Sequence, residues 1–139
     1  MRQNTLASQA EAHVAGILTT QGWRILARNY RWIGTEIDIL ATKGSSLIAV
    51  EVKFRTRFTH DMISVSELLP RRKMHSLKKG LRAAMCHLRI SVPKTRIDLV
   101  IVTPQTDDVA KKMPPGNSPE DMIYKNDGFK VTWYPAVDA

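Results

Sequence analysis

With 139 residues, of which 43% are hydrophobic and 24% charged, the chain is long enough for one packed domain and too short for two. No apolar run approaches the ~18 residues of a membrane span, and the first 25 residues carry polar and acidic groups where a secretion signal needs an apolar core. The net charge of +8 is uneven: residues 53–96 hold 12 basic side chains against 2 acidic ones, which points to a polyanion, most often nucleic acid and less often an acidic protein or anionic lipid.

Residues 5–21 predict a helix, because Leu6, Ala10, Val14, Ile17 and Leu18 recur at helical spacing and Gly22 ends the run. Residues 24–33 turn β-like and aromatic, with Ile25, Tyr30 and Trp32 ahead of a turn at Gly34. Two further strands, 36–42 and 46–54, flank Lys43-Gly44-Ser45. Residues 55–67 read as an irregular, mobile loop. A second helix starts near Pro70 and carries Met74, Leu77, Leu81, Ala84 and Leu88 as one apolar stripe until Pro93 stops it. Residues 96–103 are an apolar strand suited to burial on both faces. Residues 104–128, with four prolines, read as a long loop or partly disordered insertion, and 129–134 as a last strand. The order α-β-β-β-α-β-loop-β predicts a single α/β or α+β domain, a sheet with helices against it.

The most informative stretch is EIDILATKGSSLIAVEVK. Gly44-Ser45 suits a two-residue hairpin turn. That turn sets Ala41 opposite Ile48, Ile39 opposite Val50 and Ile37 opposite Val52, an apolar face for the core. The other face then pairs Leu40 with Ala49, Asp38 with Glu51 and Glu36 with Lys53. Two carboxylates directly opposed repel each other, so either one is protonated or a cation binds between them. A hard divalent ion such as Mg²⁺ fits oxygen donors of this kind. Lys53 flanks the pair, and the competing reading is two solvated carboxylates balanced by nearby basic groups.

These residues resemble a known family. The run GWRILARNYRWIGTEIDILATKGSSLIAVEVKFR is similar to the YraN family of small bacterial proteins, in the restriction-endonuclease-like superfamily. The likeness extends over residues 9–103 and includes Glu11, Asn29-Tyr30, Glu36-Ile37-Asp38, Glu51-Val52-Lys53 with Arg55, and Arg96-Ile97-Asp98-Leu99-Val100. Thr35 departs from it, standing where the family usually has glycine. The resemblance implies a PD-(D/E)xK nuclease core, also seen in archaeal Holliday-junction resolvases. It implies that Asp38, Glu51 and the Val52 carbonyl hold Mg²⁺ or Mn²⁺ and that Lys53 is the catalytic lysine. The implied reaction is metal-assisted hydrolysis of a phosphodiester bond in DNA, branched or single-stranded forms included.

Glu11, at the edge of the first helix's apolar stripe, is a candidate further metal ligand, direct or through water, or else an exposed flank residue. Glu36 reads as a partner that holds Lys53. On the second helix Arg71, Lys78, Arg82 and Arg89 fall within ~40° of one another, a stripe fit for backbone phosphates or simply a solvated face. Lys73 projects on the opposite flank, toward the site, while Arg55 and Arg57 extend the basic patch. His13, His60, His75 and His87 lack zinc-like spacing. The single cysteine, Cys86, reads as a packed thiol, and its lack of a disulfide partner fits a reducing compartment, so the cytoplasm is the expected location. The expected partner is nucleic acid, DNA foremost, with no membrane and with a homodimer left open. Two rivals to the nuclease remain: a non-catalytic nucleic-acid-binding module of the same fold, and a basic protein-interaction module.

Overall fold

The computed structural model describes residues 5–57, 64–92, 94–104, 121–124 and 128–138, the side chains of 121–124 excepted. Helix α1 spans Leu6–Thr20, followed by β1 (Arg24–Trp32), β2 (Thr35–Lys43) and β3 (Ser46–Phe54). The short α2 (Val65–Leu68) and the long α3 (Arg71–His87) lead to β4 (Lys94–Pro104), β5 (Asp121–Tyr124) and β6 (Phe129–Tyr134). One mixed sheet runs in the order β1-β2-β3-β4-β6-β5. Among the described residues only β3 and β4 are parallel, and α2 and α3 lie in their crossover.

Both faces of the sheet are covered. Val14, Ile17 and Leu18 of α1 pack on Ile39, Ile48, Val50, Val100 and Trp133. Leu77, Leu81 and Ala84 of α3 pack on the opposite face, against Ile37, Leu40, Ala49, Leu99 and Ile101. This is the restriction-endonuclease-like layering of a mixed sheet between helices, and it explains why β4 is apolar on both sides. α1 starts at Thr5, whose hydroxyl accepts from the Ser8 N–H at 3.1 Å.

Several expectations are corrected. The expected loop 55–67 is broken at its end, where Val65–Leu68 make one helical turn and bury Leu68; 58–63 lie outside the described residues. Asp121–Tyr124 are a strand paired to β6, so 104–128 is not one continuous loop; 105–120 and 125–127 lie outside the described residues. α3 ends at His87, well before Pro93, and Arg89 adopts φ 54 beyond it. Cys86 is exposed rather than packed: at 100° per residue it lies half a turn from the buried Leu77.

The β2–β3 hairpin forms in the expected register, Ile39 opposite Val50, Ala41 opposite Ile48 and Lys43 opposite Ser46, with Gly44 at φ 57 in the turn. The face assignment needs one revision. Leu40 and Ala49 are core residues under α3, not surface ones, because the sheet is buried on both sides. Ile37 joins that α3 face, whereas Ile39 points to α1, so the alternation of β2 breaks at Asp38.

Candidate functional site

Beyond the Ile39–Val50 pair, β2 and β3 cease to pair with each other. Both strands continue, however, held by their outer neighbours. β2 stays on β1 as far as Thr35 opposite Trp32, and β3 stays on β4 as far as Phe54 opposite Val102. The centre of the sheet therefore forks. Asn29, at φ 54, lies across β1 from Asp38, between the pairs Arg28–Ile39 and Tyr30–Ile37. Asparagine tolerates this left-handed conformation better than most residues, which fits a local irregularity at Asp38.

Asp38 and Glu51 occupy the fork. Asp38 Oδ2 accepts the Val52 N–H at 2.9 Å, so a side chain takes over a donor that the ladder no longer uses. Glu51 is 5% exposed, and its Oε2 accepts no hydrogen bond among the described residues. The Lys73 ammonium of α3 lies 3.4 Å from that oxygen. Burial, then a hydrogen bond with the Asp38 carboxyl and the charge on Asp38, push the Glu51 carboxyl up to about 8, against the pull of Lys73 and Lys53. The two carboxyls thus meet across the fork by a hydrogen bond and not as the expected ladder pair, and the expected pairs Ile37–Val52 and Glu36–Lys53 do not form either, because β2 and β3 have already parted.

Lys53 is half-buried on β3, two residues from Glu51, and its charge acts on that carboxyl. Val52 is also half-buried and packs toward the α1 cluster. Glu36 does not hold Lys53; its carboxylate pairs with Arg31 at 3.6 Å across the β1–β2 hairpin. Glu11 is partly exposed on α1. Among the described residues no group of three or more His, Cys, Asp and Glu side chains comes together, so Glu11 does not join Asp38 and Glu51 in one cluster.

The basic patch is assembled in part. Arg71, Lys78 and Arg82 are exposed along α3, but Arg89 lies past the helix end and leaves their stripe. Arg55 and Arg57 are exposed just beyond β3, with the Arg55 guanidinium folded back on the Phe54 carbonyl at 2.8 Å. His60 lies outside the described residues.

Thr35 and Gly80 set how closely α3 approaches the fork. The Thr35 hydroxyl donates to the Ser76 carbonyl at 2.8 Å, and a Cβ at Gly80 would run into Thr35 Cγ2. Sequence reasoning missed this fit; its only trace is a glycine inside a strongly helical run. It also missed Asp98 as an anchor. That carboxylate, 0% exposed, takes Arg96 in a two-point bond at 2.9 and 3.0 Å, the Trp133 indole N–H at 2.9 Å and the Ala136 N–H at 2.9 Å. It ties residues after β6 to the sheet.

A mixed sheet between helices, forked at its centre around two carboxylates with lysines beside them, defines an α/β protein of the restriction-endonuclease-like class. The chain belongs to the uncharacterised protein family UPF0102, the YraN family, whose sequence pattern matches residues 10–102. It is 35% identical over 101 residues to a UPF0102 protein of Nitratidesulfovibrio vulgaris, covering 73% of this chain and 74% of that one. A UPF0102 protein of Carboxydothermus hydrogenoformans is 31% identical over 100 residues, covering 72% and 83%. One from Parabacteroides distasonis is 30% identical over 99 residues, covering 71% and 79%. Among the described residues no helix is long and apolar enough to cross a membrane.

Proposed function

We propose that the protein is a divalent-metal-dependent nuclease that hydrolyses phosphodiester bonds in DNA. The observation that carries this reading is the Glu51 carboxyl, buried against Asp38 with an oxygen that accepts no hydrogen bond among the described residues. A buried carboxyl that faces a second carboxyl and meets only an ammonium at 3.4 Å among the described residues is costly, and a hard cation satisfies both acids at once. Asp38, Glu51 and the Val52 carbonyl are all oxygen donors, the kind that Mg²⁺ and Mn²⁺ prefer.

A divalent ion supplies two things there when bound: acidification of water and neutralisation of charge growing on the scissile phosphate. The protein does the rest. The Val52 N–H fixes the orientation of Asp38. Lys73 holds a positive charge beside Glu51. Lys53 orients the attacking water or stabilises the negative charge on the phosphate oxygens. Arg71, Lys78 and Arg82 on α3, with Arg55 and Arg57, contact backbone phosphates without reading sequence.

The Lys73 ammonium favours a second reading, a nucleic-acid-binding module that keeps the fold without the chemistry, because a built-in cation already stands at Glu51. The raised Glu51 carboxyl weighs against it, since burial and Asp38 outweigh the pull of Lys73, which therefore does not substitute for the charge of a divalent ion. The test is a panel of linear, junction and flap DNAs incubated with Mn²⁺. Cleavage by the wild type that Lys53→Ala and Asp38→Ala each reduce at least ~100-fold supports the nuclease. Binding without cleavage, unchanged in Asp38→Ala, establishes the binding module instead. An absence of binding to every DNA form at low salt leaves only a protein-interaction role.

A further inference from the structure

The turn between β1 and β2 is unusually apolar for a surface hairpin. Ile33 is 91% exposed and Trp32 39% exposed, side by side at the tip. His87 of α3 backs the indole, with ring centroids 4.6 Å apart and planes tilted by 40°. The Tyr30 hydroxyl lies 3.3 Å from Nδ1 of the same imidazole, so Trp32 is braced from behind. Two clefts flank the tip. One, about 200 Å³, runs between Trp32, Ile33, Lys79 and Ala83. The other, about 510 Å³, runs between Arg31, Trp32, Ile33, Glu36 and Lys73.

Lys73 is the link. Lys73 lines the larger cleft, and its ammonium lies 3.4 Å from Glu51 Oε2, so one side chain borders both the cleft beside the tip and the carboxylate pair. The walls of that cleft combine a braced aromatic surface with the cationic Lys73 and an Arg31 paired to Glu36, and Lys79 stands on the other side of the tip. A base paired inside a duplex keeps its faces stacked on its neighbours and has none to offer an indole. An unpaired base has a free face and a phosphate within reach of the lysines. This combination of stacking platform and positive groove is how single strands are held without sequence preference.

We propose that Trp32 and Ile33 form a stacking site for an unpaired nucleobase, placing the adjoining phosphate at Lys73, the side chain that also borders Glu51. The substrate is then a single-stranded segment or a duplex end with unpaired nucleotides, not a continuous duplex. This inference rests on the nucleic-acid reading above and narrows it.

The test measures binding in EDTA, where no cleavage intervenes, of a fluorescein-labelled 20-nucleotide oligothymidylate and of a blunt 20-base-pair duplex. Trp32→Ala, Trp32→Phe and Ile33→Ser are compared with the wild type at low salt. Ile33 is almost wholly exposed, so its replacement does not threaten folding even if that of Trp32 does. Losses of about tenfold or more for the single strand with Trp32→Ala, several-fold with Ile33→Ser, and under threefold for the duplex are expected, with Trp32→Phe close to wild type. Single-strand binding undiminished in both Trp32→Ala and Ile33→Ser, or diminished equally for the duplex, overturns the stacking site and leaves the nuclease reading standing. Failure of the wild type to bind either probe removes the nucleic-acid reading itself and this inference with it. A wild-type dimer that Ile33→Ser converts to monomer, with single-strand affinity unaltered, assigns the tip to a second copy of the chain and also overturns the proposal.

Discussion

At the scale of residues, the Glu51 carboxyl concentrates most of the chemistry. Its raised value means that the folded protein, without metal, binds a proton there that the unfolded chain releases near 4.5. Folding is therefore favoured most below about pH 4.5, and the contribution of this group falls as pH rises toward about 8. Thermal unfolding in EDTA should show the midpoint dropping across that window from this group, and Glu51→Gln should flatten the drop, since an amide does not ionise. A slope identical in the two proteins would refute the assignment. Asp38 and Glu51 were legible as a pair because a two-residue turn and a period of two fix which residues face each other. What the sequence concealed was the fork. Ile37 is apolar and either face of a doubly covered sheet accepts it, so nothing in its identity signals that the alternation breaks beside it.

At the scale of elements, α3 is held to β2 by the pairing of Gly80 with Thr35 and Ile37. Gly80→Ala should destabilise the fold by about 1–3 kcal/mol, by pushing the helix away from the sheet, despite the better helix propensity of alanine. Adding Thr35→Ser removes the Cγ2 that the new Cβ meets and should recover most of the loss in urea unfolding, a coupling that independent sites would not show. The helix itself was legible from its stripe of Leu77, Leu81 and Ala84, but its end was not. Proline is a visible stop, yet the chain turns earlier at Arg89, whose left-handed backbone no side chain announces. β5 was missed for a related reason: a four-residue strand has too few positions to display a period and depends on β6 for its pairing.

At the scale of the whole molecule, the excess of positive charge lies in residues 53–96, and α3, on the side of the sheet where Lys73 faces Glu51, carries much of it. If Arg71, Lys78 and Arg82 each neutralise one phosphate, replacing all three with alanine should lower the slope of log affinity against log salt by about 2–3 for duplex or single-stranded DNA alike. Titrations at several salt concentrations measure that slope directly. An unchanged slope would mean that the exposed stripe is only solvated. The layering was readable from composition and periodicity, whereas the tie from Asp98 to Trp133 and Ala136 joins groups separated by 35 and 38 positions, a distance over which sequence pattern carries no signal.

The fork is clamped from outside: β1 pairs with one prong on both sides of Asp38, and β4 pairs with the other as far as Phe54. Its prongs cannot spread to relieve like charge, so protons and ions must exchange within a rigid frame. Crystals grown with and without Mn²⁺ should superimpose in backbone, differing in what sits between two acids and hardly at all in where those acids stand.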